Sequence, residues 1–290
     1  RVVGVRAKLL DDQGRATGQT QEIRAKVVVA ADGVSSRLAT AVGRPKREDR
    51  VMGVAVRAYY TTPQRDEYLE SHLELWTTDE AGNRMLMPGY GWLFPLEDGR
   101  TNVGLGILDT SSAFGQTDYR DVMRRWVDGL GDRWQLEHDA TAGPIRGAAL
   151  PMGFNRTPLY ADGLLLVGDA GGMVNPFNGE GIDYALEAAR VGADIIAQAL
   201  SRSTDPARER VLASYPKVMK AELGGYFTLG RWFAHAIGNP EVMRLATKYG
   251  LPRTTLMRFL LKIMANLPEA RGGRVDDRII HALSSLAPDA

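Results

Sequence analysis

The 290-residue chain has no cysteine, which excludes disulfides, thiol nucleophiles and cysteine-bound metal within it. Its four histidines are scattered and offer no metal-ligand spacing, so no metal site is expected. An excess of either charge is lacking too. With 36 basic residues against 35 acidic ones, no overall field draws the chain to nucleic acid or another polyanion. No apolar run approaches the ~20 residues that cross a bilayer, and no signal-peptide pattern is present, so a cytoplasmic location is expected. Internal repeats and low-complexity stretches are also absent.

What remains is a globular composition, 44% apolar, enough for a core in one large or two modest domains. Residues 2–30 read as two strands joined through Asp11-Asp12-Gln13-Gly14, the second ending in Val27-Val28-Val29-Ala30. Ala31-Asp32-Gly33 then turns sharply, and a serine of Ser35-Ser36-Arg37 is placed to cap a short helix. Alternation at Val54, Val56 and Ala58, at Leu73 and Leu75, at Trp92 and Phe94, and at Val103, Leu105 and Ile107 predicts antiparallel strands around hairpins. A helix over 118–130 interrupts them, and a strand over 145–150 closes the region. From Pro206 onward the pattern is helical, with breaks expected at Gly224-Gly225, Gly238-Asn239-Pro240, Gly250-Leu251-Pro252 and Gly272-Gly273.

The most informative stretch is Gly163-Leu164-Leu165-Leu166-Val167-Gly168-Asp169-Ala170, which continues through Pro176-Phe177-Asn178-Gly179-Glu180-Gly181 into a helix beginning near Glu180. Leu164 to Val167 is apolar without alternation, as in a strand covered on both faces. Such a joint suits a diol and an anion: the Asp169 carboxylate accepts hydrogen bonds from sugar-like hydroxyls, and free N–H groups at the helix start attract phosphate or a ring carbonyl. An ordinary buried strand-to-helix turn is the alternative. The helix carries Ile182, Leu186, Ala189, Ala193, Ile196 and Leu200 at 3-4 spacing, a stripe expected to face a core. Gly192 within it suggests a close helix-to-strand contact.

The two turns, Ala31-Asp32-Gly33 and Gly168-Asp169, resemble those of FAD-dependent flavoproteins of the p-hydroxybenzoate hydroxylase type. The resemblance implies a mixed α/β (α+β) fold. Residues 1–45 and 151–203 would form parts of the FAD-binding domain, 46–150 an antiparallel-sheet substrate domain and 204–290 a helical region. It also implies that Gly168, Asp169 and Ala170 meet the ribityl and pyrophosphate side of FAD, while the helix start with Gly179, Glu180, Gly181 and Ile182, and Pro176 just before it, lies along the isoalloxazine ring, Gly179 and Gly181 through backbone N–H groups. Missing is the Gly-x-Gly-x-x-Gly turn that holds the adenosine pyrophosphate. Because Arg1 lies inside a strand-like run, the chain is expected to begin mid-protein, with on the order of a hundred residues upstream.

Gly89-Tyr90-Gly91-Trp92-Leu93-Phe94-Pro95, followed by Asn102-Val103-Gly104-Leu105-Gly106, is similar to the signature of the geranylgeranyl reductase family. This second resemblance implies reduction of carbon-carbon double bonds in isoprenoid chains by reduced FAD, with Tyr90, Trp92, Phe94 and Pro95 lining a lipid channel. The aromatic residues put bulky apolar surface beside glycines that let a long chain pass close to backbone; filling of a sheet core is the competing role. The chain looks most like actinobacterial members that act on the menaquinone tail.

Tyr90 and Glu180 are candidate proton donors, Glu180 being equally suited to the helix start, and no catalytic residue is assigned. Arg37 suits either a cofactor phosphate or a surface cation, and Asp32 suits support of its turn. The expected electron donor is a reduced nicotinamide or a ferredoxin. Tyr226, Phe227, Trp232, Phe233, Phe259 and Leu260, mixed with Arg231, Arg253, Arg258 and Lys262, suit a helical face on an anionic bilayer, implying peripheral contact with the inner face of the cell membrane; a core stripe is the alternative. Two other functions fit the same residues: a flavin monooxygenase or halogenase, and a non-catalytic lipid-binding remnant.

Overall fold

The computed structural model describes residues 1–64, 66–78, 82, 84–110, 114–115, 117–138, 143–267 and 275–288. Strands β1 (Gly4–Leu10) and β2 (Ala16–Arg24) form an antiparallel hairpin. Asp11 closes it by accepting from the Gln13 and Arg15 amides at 3.0 and 2.8 Å. The second strand ends at Arg24 rather than at Ala30. Val28–Ala30 is a separate strand, β3, in another sheet, burying Val28 and Ala30 and exposing Val29. Helix α1 (Arg37–Ala41) follows, capped by the Ser36 hydroxyl.

The next segment builds a six-stranded antiparallel sheet from β4 (Met52–Thr61), β5 (Glu70–His72), β8 (Gly89–Pro95), β9 (Arg100–Leu108), β10 (Glu137–His138) and β11 (Arg146–Pro151). Its path is β10-β4-β9-β8-β5, with β11 also on β4, and β6 (Leu75–Thr78) and β7 (Arg84–Met87) form a hairpin beside it. Helix α2 (Tyr119–Asp128) covers one face, where Val122 and Met123 join Leu93, Val103, Leu105 and Ile107 in a core. The period-two alternation at 54–58 and 103–107 therefore reports burial against α2, as expected.

The chain then returns to the small sheet. Strand β12 (Tyr160–Ala161) pairs antiparallel with β13 (Leu164–Leu166), which lies parallel to β3, in the order β12-β13-β3. All three residues of β13 are buried, as a strand covered on both sides should be. Behind it packs α3 (Ile182–Leu200), but not by the expected stripe. Tyr184, Ala188, Val191, Gly192, Ile195 and Ala199 are buried, while Ile182, Leu186 and Leu200 are 74%, 65% and 44% exposed. Both stripes have helical spacing, and periodicity alone does not say which one meets a partner. Gly192 does face β13, yet a Cβ there would sit 3.5 Å from Leu165 Cδ2, an ordinary contact.

Helices α4 (Asp205–Leu212), α5 (Tyr215–Gly238), α6 (Pro240–Gly250), α7 (Thr254–Met264) and α8 (Val275–Leu286) complete the chain. Breaks fall at Gly238-Asn239-Pro240 and Gly250-Leu251-Pro252 as expected, while Gly272-Gly273 lies outside the described residues. The expected break at Gly224-Gly225 does not occur. Helix α5 runs straight through because α8 crosses there: a Cβ on Gly225 would stand 2.1 Å from the Ser284 carbonyl oxygen. In urea denaturation, Gly192→Ala is expected to stabilise the chain by up to about 1 kcal/mol. Gly225→Ala is expected to destabilise it by about 1–3 kcal/mol through overpacking.

Candidate functional site

Beyond β13 the chain makes a single tight turn over Gly168–Gly171. Gly168 has φ +56°, and a Cβ on it would lie 2.9 Å from the Ala185 Cβ, so the turn presses directly on α3. This leaves Asp169 half-buried at the start of the helix, where its Oδ1 would be 3.2 Å from a Cβ on Gly181. Among the described residues nothing donates to or pairs with this carboxylate. Burial alone pushes its pKa above the usual carboxylate value.

The loop leading to α3 is held rigid by its own side chains. Asn175 Oδ1 accepts from the Phe177 amide and Asn178 Oδ1 from the Glu180 amide, both at 2.9 Å, and the Asn175 N–H donates to the Glu180 carbonyl at 2.8 Å. Glu180 Oε1 accepts from the Asp183 amide at 2.9 Å, so its carboxylate caps the helix. Gly181 is the N-cap residue and brings no side chain; among the described residues the Gly181 and Ile182 amides donate to no protein acceptor. Ala170 and Pro176 are buried in packing, and the Ile182 side chain points to solvent. Gly179 lies at φ +73° on the same loop.

A residue that the sequence did not mark holds the two turns together. Arg156, 2% exposed, donates to the carbonyls of Val34 and Ser35 at 3.1 and 3.2 Å and to Ala170 at 3.4 Å. No motif surrounds it, and only tertiary contact reveals its role. Asp32 accepts from the Ser36 hydroxyl and the Leu38 amide, supporting its own turn, and Arg37 is exposed.

On β8, Gly91 and Leu93 face α2 while Tyr90, Trp92 and Phe94 occupy the opposite face. The glycines of the motif are seats for indoles. A Cβ on Gly91 would stand 2.4 Å from the Trp126 ring, and one on Gly104 the same distance from Trp92. Trp92 Nε1 donates to Asn102 Oδ1 at 3.2 Å, and its ring stacks on Phe94 with centroids 6.0 Å apart. Beyond this layer lies a cavity of about 1240 Å³, larger than the roughly 300–1,000 Å³ of ordinary small-molecule sites. Tyr90 and Phe94 line it; Trp92 and Pro95 do not, because the Trp92 indole lies flat over the glycines of β9 and Pro95 pairs with Thr101 at the far end of the strand.

Phe177, Asn178 and Gly179 belong both to the loop before α3 and to the cavity wall. The Tyr90 hydroxyl donates to the Asn178 carbonyl at 2.8 Å, and burial beside the Glu180 charge pushes its pKa up to about 12. Asn175, 1% exposed, ties this loop to the helices: its Nδ2 reaches the hydroxyls of Tyr184 and Tyr226 at 3.1 Å and the Met264 carbonyl at 3.0 Å.

Residues 3–220 match the model of a family described as FAD binding domain. The chain belongs to that family. This family member is 34% identical to the menaquinone reductase of Mycobacterium tuberculosis over 247 residues, which are 85% of the chain and 57% of that protein. It is 33% identical over 192 residues to digeranylgeranylglycerophospholipid reductase 2 of Methanothermobacter thermautotrophicus, covering 64% of the chain and 44% of that protein. The chain thus spans about half the length of such relatives. In fold it is similar to a geranylgeranyl bacteriochlorophyll reductase-like protein of Thermoplasma acidophilum, with TM-score 0.62 at 18% identity, over 99% of this chain and 64% of that one. These matches agree with the resemblance to geranylgeranyl reductases, and the mixed helix-and-sheet architecture is of the p-hydroxybenzoate hydroxylase type.

Because the folded pKa of Asp169 is raised, its ionisation costs stability as the pH rises through that folded value, and the cost vanishes below the ordinary aspartate value of 3.8. In the flavin-free chain, Asp169→Asn is therefore expected to raise Tm at pH 7 and leave it unchanged near pH ~3. Equal Tm values at pH 7 would show that the carboxylate has a partner. Asn175→Ala is expected to cost about 2–3 kcal/mol by chemical denaturation, since it strands buried carbonyl and hydroxyl groups.

Proposed function

We propose that this FAD binding domain family member holds FAD across Asp169 and the helix start at Gly179–Ile182 and reduces carbon-carbon double bonds in an isoprenoid chain lying in the cavity. The substrate class is the polyprenyl tail of a menaquinone or a geranylgeranyl lipid, the classes named in its relatives. One observation carries the reading: Phe177, Asn178 and Gly179 belong at once to the loop before α3 assigned here to the flavin and to the cavity wall. An unpaired half-buried carboxylate fits ribityl hydroxyls, and the open Gly181 and Ile182 amides fit a ring carbonyl. When bound and reduced, the flavin supplies the hydride that adds to one alkene carbon.

The chain's own task is placement and exclusion of water. Phe94, Leu150, Met152, Phe177 and Phe233 give the cavity apolar walls that take a hydrocarbon and reject solvent. Tyr90 holds its proton at neutral pH and spends it on the Asn178 carbonyl, fixing the sheet against the flavin loop. In this reading residues 1–45 and 151–203 are the FAD-binding part, 46–150 the substrate part and 204–290 the helical cover. The exposed apolar residues Val29 on edge strand β3 and Ile182 and Leu186 on α3 suit coverage by the βαβ unit that a complete dinucleotide site requires.

Membrane contact falls on α6 and α7. Leu245, Tyr249, Leu256 and Leu261 are 41–57% exposed beside Arg244, Lys248, Arg253 and Arg258, while Met243, Leu260 and Met264 of the same helices line the cavity. Of the aromatic residues expected at that surface, Tyr226 and Phe227 are instead core, and Trp232 is exposed. No described helix is long and apolar enough to cross a membrane.

The reading is tested with the full-length protein, reductant and a polyprenyl quinone, by mass spectrometry: each reduced bond adds two hydrogens. Hydroxylated or halogenated product in its place would refute it. Asp169→Ala is expected to weaken flavin retention on the order of tenfold, the worth of a charge-assisted hydrogen bond.

A further inference from the structure

The cavity is not uniformly apolar. Its wall carries Glu70, Ser71, His72, Glu74 and Arg125 at the end formed by edge strand β5 and α2, and apolar residues of α5–α7 at the other. A hydrocarbon threaded through the whole length would desolvate these groups without satisfying them. The polar end is organised: His72 Nε2 lies 2.9 Å from Glu70 Oε1, Arg133 Nη2 lies 3.2 Å from Glu70 Oε2, and the His72 ring meets Trp126 edge-on with centroids 5.5 Å apart. The Trp126 indole is itself pinned by the absence of a side chain at Gly91.

We propose that this end is a head-group site for a quinone ring, held against His72 and Trp126, with the attached isoprenoid tail passing round edge strand β5 to Tyr90 and Phe94 and on toward α6 and α7. The inference rests on the isoprenoid reading above and narrows it to a quinone-bearing chain. Charge selects the head. Among the described residues at this end, Arg125 is paired with Asp121 at 2.8 Å and Arg133 is shared between Asp66 and Glu70, so neither is free for a phosphate. Glu74 on the wall repels an anionic head. A neutral flat ring with two oxygens meets none of that cost and packs against an indole. With one ring nitrogen of His72 occupied by Glu70, Nδ1 remains for a head-group oxygen, accepting from a hydroquinone hydroxyl or, when protonated, donating to a quinone carbonyl.

The test titrates three probes against the chain by calorimetry: menadione, a tail-less naphthoquinone; geranylgeraniol, an uncharged chain; and geranylgeranyl phosphate. Menadione is expected to bind, and His72→Phe and Glu70→Gln to weaken it about tenfold or more, the loss of about 1.4 kcal/mol. Geranylgeraniol affinity should be unchanged in both variants, which also reports that they are folded, and should exceed that of the phosphate. Geranylgeraniol binding without menadione binding, equal menadione affinity in the variants, or preference for the phosphate would each overturn the head-group assignment and leave the isoprenoid reading standing. Failure of geranylgeraniol itself to bind would overturn both.

Discussion

The structure depends most heavily on one buried amide. Asn175 has two N–H donors and three acceptors around them, the Tyr184 and Tyr226 hydroxyls and the Met264 carbonyl, while its side-chain oxygen takes the Phe177 amide. One side chain therefore joins the loop before α3, the long α5 and the end of α7. Tyr226 strengthens the joint by donating to the Ile263 carbonyl at 2.8 Å. In a region closed to water, each of these groups would be costly to leave unmade, so the network admits a single arrangement. The wall between the loop before α3 and the cavity inherits its shape from that arrangement.

A second constraint is the distribution of missing side chains. Gly91 and Gly104 accept whole indoles, and Gly225 accepts the backbone of α8. These are contacts between surfaces far apart in sequence, and each converts an absence into a close fit that a methyl group would disrupt. The same logic sets the floor of the cavity: Trp92 lies down on β9 because Gly104 leaves room, and Tyr90 and Phe94 are left to form the wall.

Asp169 stands apart from this well-satisfied framework. It is half-buried, without partner among the described residues, and raised in pKa by burial alone, a cost that packing elsewhere sustains. Arg156 does the opposite work nearby, spending its charge on the Val34, Ser35 and Ala170 carbonyls to hold the Asp-Gly and Gly-Asp turns in one place. A cation bonded to three carbonyls locks the frame, and an anion that accepts nothing from the described residues is left open within it. That contrast separates the residue that shapes the site from the residue suited to a ligand.

Local chemistry made much of this legible from the sequence. The Gly168-Asp169 turn, the Ser36 cap, the alternating strands of the large sheet and the Asn239-Pro240 helix start follow from dihedral preference, capping and period-two burial, all of which act over a few residues. Tertiary structure decided the rest. Which stripe of α3 is buried depended on the shape of β13 and α5, since Ile182 and Leu186 have the same spacing as Tyr184 and Ala188. Whether Gly224-Gly225 broke a helix depended on α8 arriving to use the gap, and whether Trp92 lined a channel depended on glycines one strand away. Spacing along a chain specifies that a face exists; only the partner surface specifies which face it is, because burial energy comes from area shared between two elements and not from either one alone.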